Sequence, residues 1–127
     1  MKYMLLQYAN PSDAPQFTPE ERQAGRQAWF ALLAEMKAAG VYLHNYGLSP
    51  VTDATTIRMR DGKLVVTDGP FAETQERLGG YFMLNCQDLD EAMRWAAKIP
   101  YARNGAIEIR PVITYTQEVV QADSEAR

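Results

Sequence analysis

The sequence predicts an α+β fold, a ferredoxin-like split βαβ sandwich with an inserted β-hairpin. At 127 residues the chain has the length of one ordinary globular domain. Its apolar patterns follow the order strand, long helix, strand, strand, helix, strand, which is the order of that fold. A turn at Asp61-Gly62, between two β-rich runs, adds the hairpin. We expect a single domain over residues 1–113 and a polar C-terminal tail over residues 114–127.

Both predicted helices have recognisable limits. Thr18 and Glu21 have the spacing of a capping box, and Gly40 suits the left-handed residue that ends a helix. Asp88 is a favourable N-cap for the second helix, which Pro100 stops. The apolar stripes expected to face the sheet are Trp29, Leu32, Leu33 and Met36 on the first helix, and Leu89, Ala92, Met93 and Ala96 on the second.

Four runs form the predicted core sheet: Tyr3 to Tyr8, Val41 to Leu48, Gly80 to Cys86 and Ala106 to Val112. Pro111 within the last run predicts an edge position or a bulge, because proline cannot donate to a ladder. Alternation separates two faces of the sheet. The aliphatic face, expected under the helices, contains Val41, Leu43, Phe82, Leu84, Ile107 and Ile109. The opposite or open face contains Tyr42, His44, Tyr46, Tyr81, Met83, Asn85, Glu108 and Arg110.

Because the open face is both aromatic and polar, we expect another surface to pack against it. A second copy of the chain is the simplest partner, because a two-fold dimer closes a self-complementary patch. A cleft between the open face and the loop after Asp68 then predicts a site for a small organic molecule.

Composition excludes several classes of partner and site. The chain has 13 basic and 16 acidic residues, a net charge of −3 and no basic cluster, so we expect no nucleic-acid or membrane partner. Cys86 is the single cysteine, which excludes an intrachain disulfide and favours a reducing cytoplasm. No run suits a signal peptide or a spanning helix. One histidine and one cysteine do not make a closed metal site, and we expect no cofactor.

Two side chains are the candidates for acid/base chemistry, Asp68 and His44. The residues predicted to contact a ligand are Tyr46, Tyr81, Arg110 and Trp29. Structural roles stay open for the same positions. The Asp68 carboxylate can accept backbone N–H groups across the Gly69-Pro70 turn, Phe71 can anchor the loop from below, His44 can be interfacial and Trp29 can be core. Asp68, Glu73 and Glu76 could hold a hard cation, but their spacing is not that of a known cation-binding loop.

Residues 66–76 read VTDGPFAETQE, and LGGY follows at residues 78–81. This run resembles the DGPF-domain branch of the YCII-related family, in which a lysine usually stands at the position of Gln75. The resemblance continues through the opening Met1 to Leu6, the helix start at Asp88 to Ala92 and the closing Glu108 to Val112. It implies a dimeric α/β barrel, although most members have no assigned function. Many members accompany an extracytoplasmic-function sigma factor, which implies a regulatory protein partner as the alternative function.

A related branch of that family carries a histidine on the first helix and an aspartate after the second, suggested as an acid/base dyad. That branch includes a lyase that eliminates HCl from a chlorinated ring. The matching positions here are Trp29 and Ile99, so the resemblance does not transfer the dyad. Asp68 and His44 therefore remain the acid/base candidates.

Overall fold

The computed structural model describes residues 1–13 and 16–116. Most of the predicted C-terminal tail, residues 117–127, lies outside the described residues. In chain order the elements are β1 (Lys2–Ala9), α1 (Pro19–Ala38), β2 (Tyr42–Gly47), β3 (Thr55–Arg60), β4 (Lys63–Asp68), β5 (Arg77–Asn85), α2 (Leu89–Ala96), α3 (Tyr101–Asn104) and β6 (Gly105–Pro111). The short helix α3 was not predicted.

The core sheet is antiparallel, with the strand order β2-β5-β1-β6. Strands β3 and β4 form a separate two-stranded sheet. This arrangement confirms the ferredoxin-like α+β fold and the inserted hairpin. Strand β6 is an edge strand, which is one of the two alternatives predicted from Pro111. Gly105 is required where β6 begins, because a Cβ there would lie 2.0 Å from the backbone oxygen of Tyr8.

Local capping sets the limits of α1 as predicted. The Glu21 N–H donates to the Thr18 hydroxyl at 3.1 Å, and the Thr18 N–H donates to the Glu21 carboxylate at 3.4 Å. Gly40 follows the helix with φ +75°, the left-handed conformation that a side chain disfavours. Asp88 caps α2 by accepting the Glu91 N–H at 2.9 Å.

The core lies between the helices and the aliphatic face of the sheet. Its largest fully buried side chains are Phe82, Leu5, Met36, Leu84 and Ile99. The predicted stripe of α1 is confirmed, since Leu32 and Met36 are buried while Trp29 and Leu33 pack against the core.

The predicted stripe of α2 is wrong in two members. Leu89 and Met93 are both exposed, whereas Ala92 and Ala96 are buried. The buried row continues to Ile99, because residues spaced by three and four positions share a helix face. The buried side of α2 therefore follows Ala92 and Ala96 rather than Leu89 and Met93.

A bulge in β2 corrects the predicted orientation of Tyr42 and Leu43. The register shifts between Tyr42 and His44, so Tyr42 pairs with Leu84 on the helix side of the sheet. There its hydroxyl donates to Asn45 at 2.6 Å and its ring packs against the core. Leu43 is exposed. The prediction assumed strict alternation, which one extra residue interrupts.

One face of the β3–β4 hairpin is apolar along most of its length and ends in the Thr55–Asp68 pair. Asp61 (φ 51°) and Gly62 (φ 75°) form the predicted turn. Strand pairing sets Ile57 beside Val66 and Met59 beside Leu64, and these four residues are the apolar hairpin face. Their side chains are 57% to 65% exposed. The opposite face carries Arg58, Arg60, Lys63 and Val65.

Within the described ranges, no helix combines the length and the apolar character needed to cross a membrane.

Candidate functional site

Three predicted site residues form an aromatic cluster on the open face. The ring centroid of His44 lies 5.7 Å from that of Tyr46 and 5.6 Å from that of Tyr81. The ring centroids of Tyr46 and Tyr81 are 6.1 Å apart. The Tyr81 hydroxyl and His44 Nδ1 are 3.4 Å apart, a long hydrogen bond. Strand pairing of Tyr46 with Tyr81 produces this cluster at the β2 edge of the sheet.

Arg110 lies at the other edge of the open face. The register sets His44 beside Met83, Met83 beside Met4 and Met4 beside Arg110. Three strand spacings separate the two edges, roughly 14 Å. Arg110 Nε instead contacts the Glu108 carboxylate at 3.1 Å. The structure therefore does not bring Arg110 to the aromatic cluster within one chain.

Trp29 lies on the helix side of the sheet. Its ring centroid is 5.1 Å from that of Phe82, a fully buried residue. The sheet thus separates Trp29 from the cluster around His44.

Asp68 is the last residue of β4 and its side chain is exposed. The turn after it is closed by other groups: the Gly69 N–H donates to Ala54 at 2.7 Å, and the Thr56 hydroxyl donates to the Gly69 carbonyl at 2.8 Å. Within residues 1–13 and 16–116 the Asp68 carboxylate accepts no hydrogen bond, so the predicted turn-closing role is wrong.

Phe71 is not the predicted anchor beneath the loop. Its side chain is 77% exposed. We call residues 68–76 the DGPF loop.

Two adjoining cavities lie at the end of the sheet where β1 finishes and β5 begins, and residues of the DGPF loop line the polar one. The apolar cavity measures about 610 Å³ and the polar cavity about 540 Å³. Both are lined by Asn10, Pro11 and Arg77. The walls of the apolar cavity include Phe17, Leu48, Pro50, Val51, Leu78 and Pro100. The polar cavity adds Ser12, Glu73, Thr74 and Gln75.

Neither cavity was predicted from the sequence. None of the predicted site residues lines them. The cavity walls come from separate segments whose meeting depends on the fold. Arg77 was the one sequence signal that could have indicated a site here, because it is a charged residue directly before the apolar run that opens with Leu78.

A metal site or a reactive thiol would depend on the His, Cys, Asp and Glu side chains in the described part of the chain. In residues 1–13 and 16–116, no group of three His, Cys, Asp or Glu side chains is placed to hold a metal ion. Cys86 is buried, and burial, followed by the charge of Glu91, raises the pKa of its thiol. The thiol therefore stays protonated at neutral pH and packs as a small apolar side chain.

Comparison with known proteins shows the family of this chain. The YCII-related domain matches residues 1–116. An uncharacterised protein of Rhizobium meliloti (strain 1021) is 34% identical over 117 residues, covering 91% of this chain and 94% of that protein. The chain therefore belongs to the YCII-related family.

Proposed function

We propose that this protein binds a small organic molecule in the two adjoining cavities beside the DGPF loop. The observation that carries the proposal is the apolar cavity of about 610 Å³. Small-molecule sites are typically concave, of about 300–1,000 Å³, mostly apolar and equipped with a few polar groups. The polar cavity supplies such groups at one end of the apolar one.

The proposal is for binding rather than for a defined reaction. Among the described residues that line the cavities, the ionisable side chains are Arg77 and Glu73. Asp68 and His44 line neither cavity, and their acid/base role stays a prediction. The sigma-factor partner also stays a prediction.

A homodimer is the second part of the proposal. The apolar hairpin face is exposed, and a lone two-stranded ribbon is at best marginally stable in water. Contiguous exposed apolar surfaces mark interaction sites. A second copy is the occupant we propose, because two identical chains bury both hairpins in one symmetric contact.

Substitution of Leu48 by aspartate is expected to weaken binding of the neutral fluorescent probe N-phenyl-1-naphthylamine at least about tenfold. Leu48 lines the apolar cavity and is 52% exposed, so the charge should disturb the wall more than the fold. A fluorescence titration measures the dissociation constant.

Leu43→Asp is the matched control, because Leu43 is 40% exposed and lines neither cavity. We expect it to bind the probe as the unsubstituted protein does. Equal affinity in both variants, or no saturable binding at all, would contradict a ligand in the apolar cavity.

A further inference from the structure

Arg77 lies at the boundary between the apolar and the polar cavity. It is the first residue of β5, pairs with Ala9 and lines both cavities. Its Nε donates to the Thr74 carbonyl at 3.3 Å, a contact with the DGPF loop that orients the guanidinium. The planar guanidinium retains further N–H donors for a ligand.

Arg77 has no carboxylate partner among the described residues. The ion pairs of that part of the chain are Lys98 with Glu35 and Arg110 with Glu108. The Arg77 side chain is half-buried beside apolar walls, where an opposite charge interacts more strongly than in open water. An unpaired guanidinium in such a place is suited to a carboxylate or sulfonate, which it can bind through two parallel N–H donors.

Glu73 limits the charge that the site favours. Its carboxylate lines the polar cavity beyond Arg77, and no other cationic side chain among the described residues lines either cavity. A group with two negative charges would meet one cation and one anion. A singly charged group is therefore the better match.

We propose that the ligand is an amphipathic organic monoanion, whose carboxylate or sulfonate is bound by Arg77 and whose apolar body fills the apolar cavity. This inference rests on the proposed function, since it names the chemistry of the molecule in the same site. The polar cavity then accommodates uncharged hydrogen-bonding groups next to the anion, through Ser12, Thr74 and Gln75.

Two probes with the same ring system test the inference. N-phenyl-1-naphthylamine is uncharged, and 8-anilino-1-naphthalenesulfonate adds one sulfonate to the same rings. Both are titrated into the unsubstituted full chain, Arg77→Leu and Arg77→Gln. We expect each substitution to weaken binding of the sulfonate probe at least about tenfold more than it weakens binding of the neutral probe.

Arg58→Leu is the matched control, because it removes the same charge from the hairpin, away from both cavities. We expect it to leave both affinities unchanged, and thermal unfolding checks that every variant is folded. Unchanged sulfonate binding in Arg77→Leu and Arg77→Gln, or an equal loss in Arg58→Leu, overturns this inference alone. Failure of the neutral probe to bind the unsubstituted protein overturns the proposed function as well.

Discussion

Substitution of Phe82 by alanine is expected to lower the free energy of unfolding by about 3–5 kcal/mol. The Phe82 side chain is 0% exposed, in the middle strand pair of the sheet, and its ring packs against Trp29 at 5.1 Å. Alanine removes the apolar contacts and leaves a cavity that the rigid β5–β1 pairing cannot close. Urea denaturation at a fixed protein concentration measures the change.

Phe30→Ala is the matched control for this prediction. Phe30 is the same residue type on the outer side of α1, where its side chain is 66% exposed. We expect its loss to change stability by about 0.5 kcal/mol or less. If Phe82→Ala costs no more than Phe30→Ala, the packing of α1 on the sheet is not the source of the stability.

Substitution of Val66 by lysine is expected to raise the dissociation constant of the homodimer at least about 100-fold, which corresponds to about 2.7 kcal/mol. Val66 lies on the apolar hairpin face beside Ile57. A lysine there would bring an unpaired charge into the contact, and desolvating such a charge costs several kcal/mol. Sedimentation equilibrium measures the constant.

Val65→Lys is the control, because the next residue receives the same substitution on the opposite face of the hairpin. That face stays in water, so the lysine is expected to leave the dimer affinity unchanged. The like charge of Arg58, directly across the strands, is expected to cost the hairpin a little stability. Equal dimer affinity in the two variants would show that the apolar hairpin face is not the contact. A monomeric unsubstituted protein would contradict the homodimer itself and favour a different protein partner for the hairpin.

Much of the fold follows from local sequence signals. The capping pair of Thr18 and Glu21, Gly40 and the Asp61-Gly62 turn each act within a few residues, and the structure confirms each of them. The edge position of Pro111 follows from its missing N–H. These features require no knowledge of distant contacts.

Features that depend on distant contacts were harder to predict. The bulge that turns Tyr42 toward the helices arises from pairing with β5, which no pattern within β2 reveals. Exposure of Phe71 likewise depends on how the DGPF loop leaves the hairpin. Alternation placed Tyr42 on the open face and residue type favoured burial of Phe71, but the tertiary structure reverses both.

The clustering of three predicted residues could be anticipated from the sequence, whereas the cavities could not. Pairing of Tyr46 with Tyr81 does bring the aromatic cluster together on the open face, as alternation suggested. The cavities could not be anticipated, because Ala9, Leu48, Leu78 and Pro100 meet only after the sheet forms. These residue types occur in any core or turn, so none of them indicates a binding site alone.

Chemical-shift mapping of backbone amides during titration with N-phenyl-1-naphthylamine tests whether a ligand binds in the apolar cavity. We expect the largest shifts at Leu48, Val51 and Leu78, which line the apolar cavity. Shifts confined to His44 and Tyr81, with the cavity amides unmoved, would contradict the account and assign binding to the open face of the sheet.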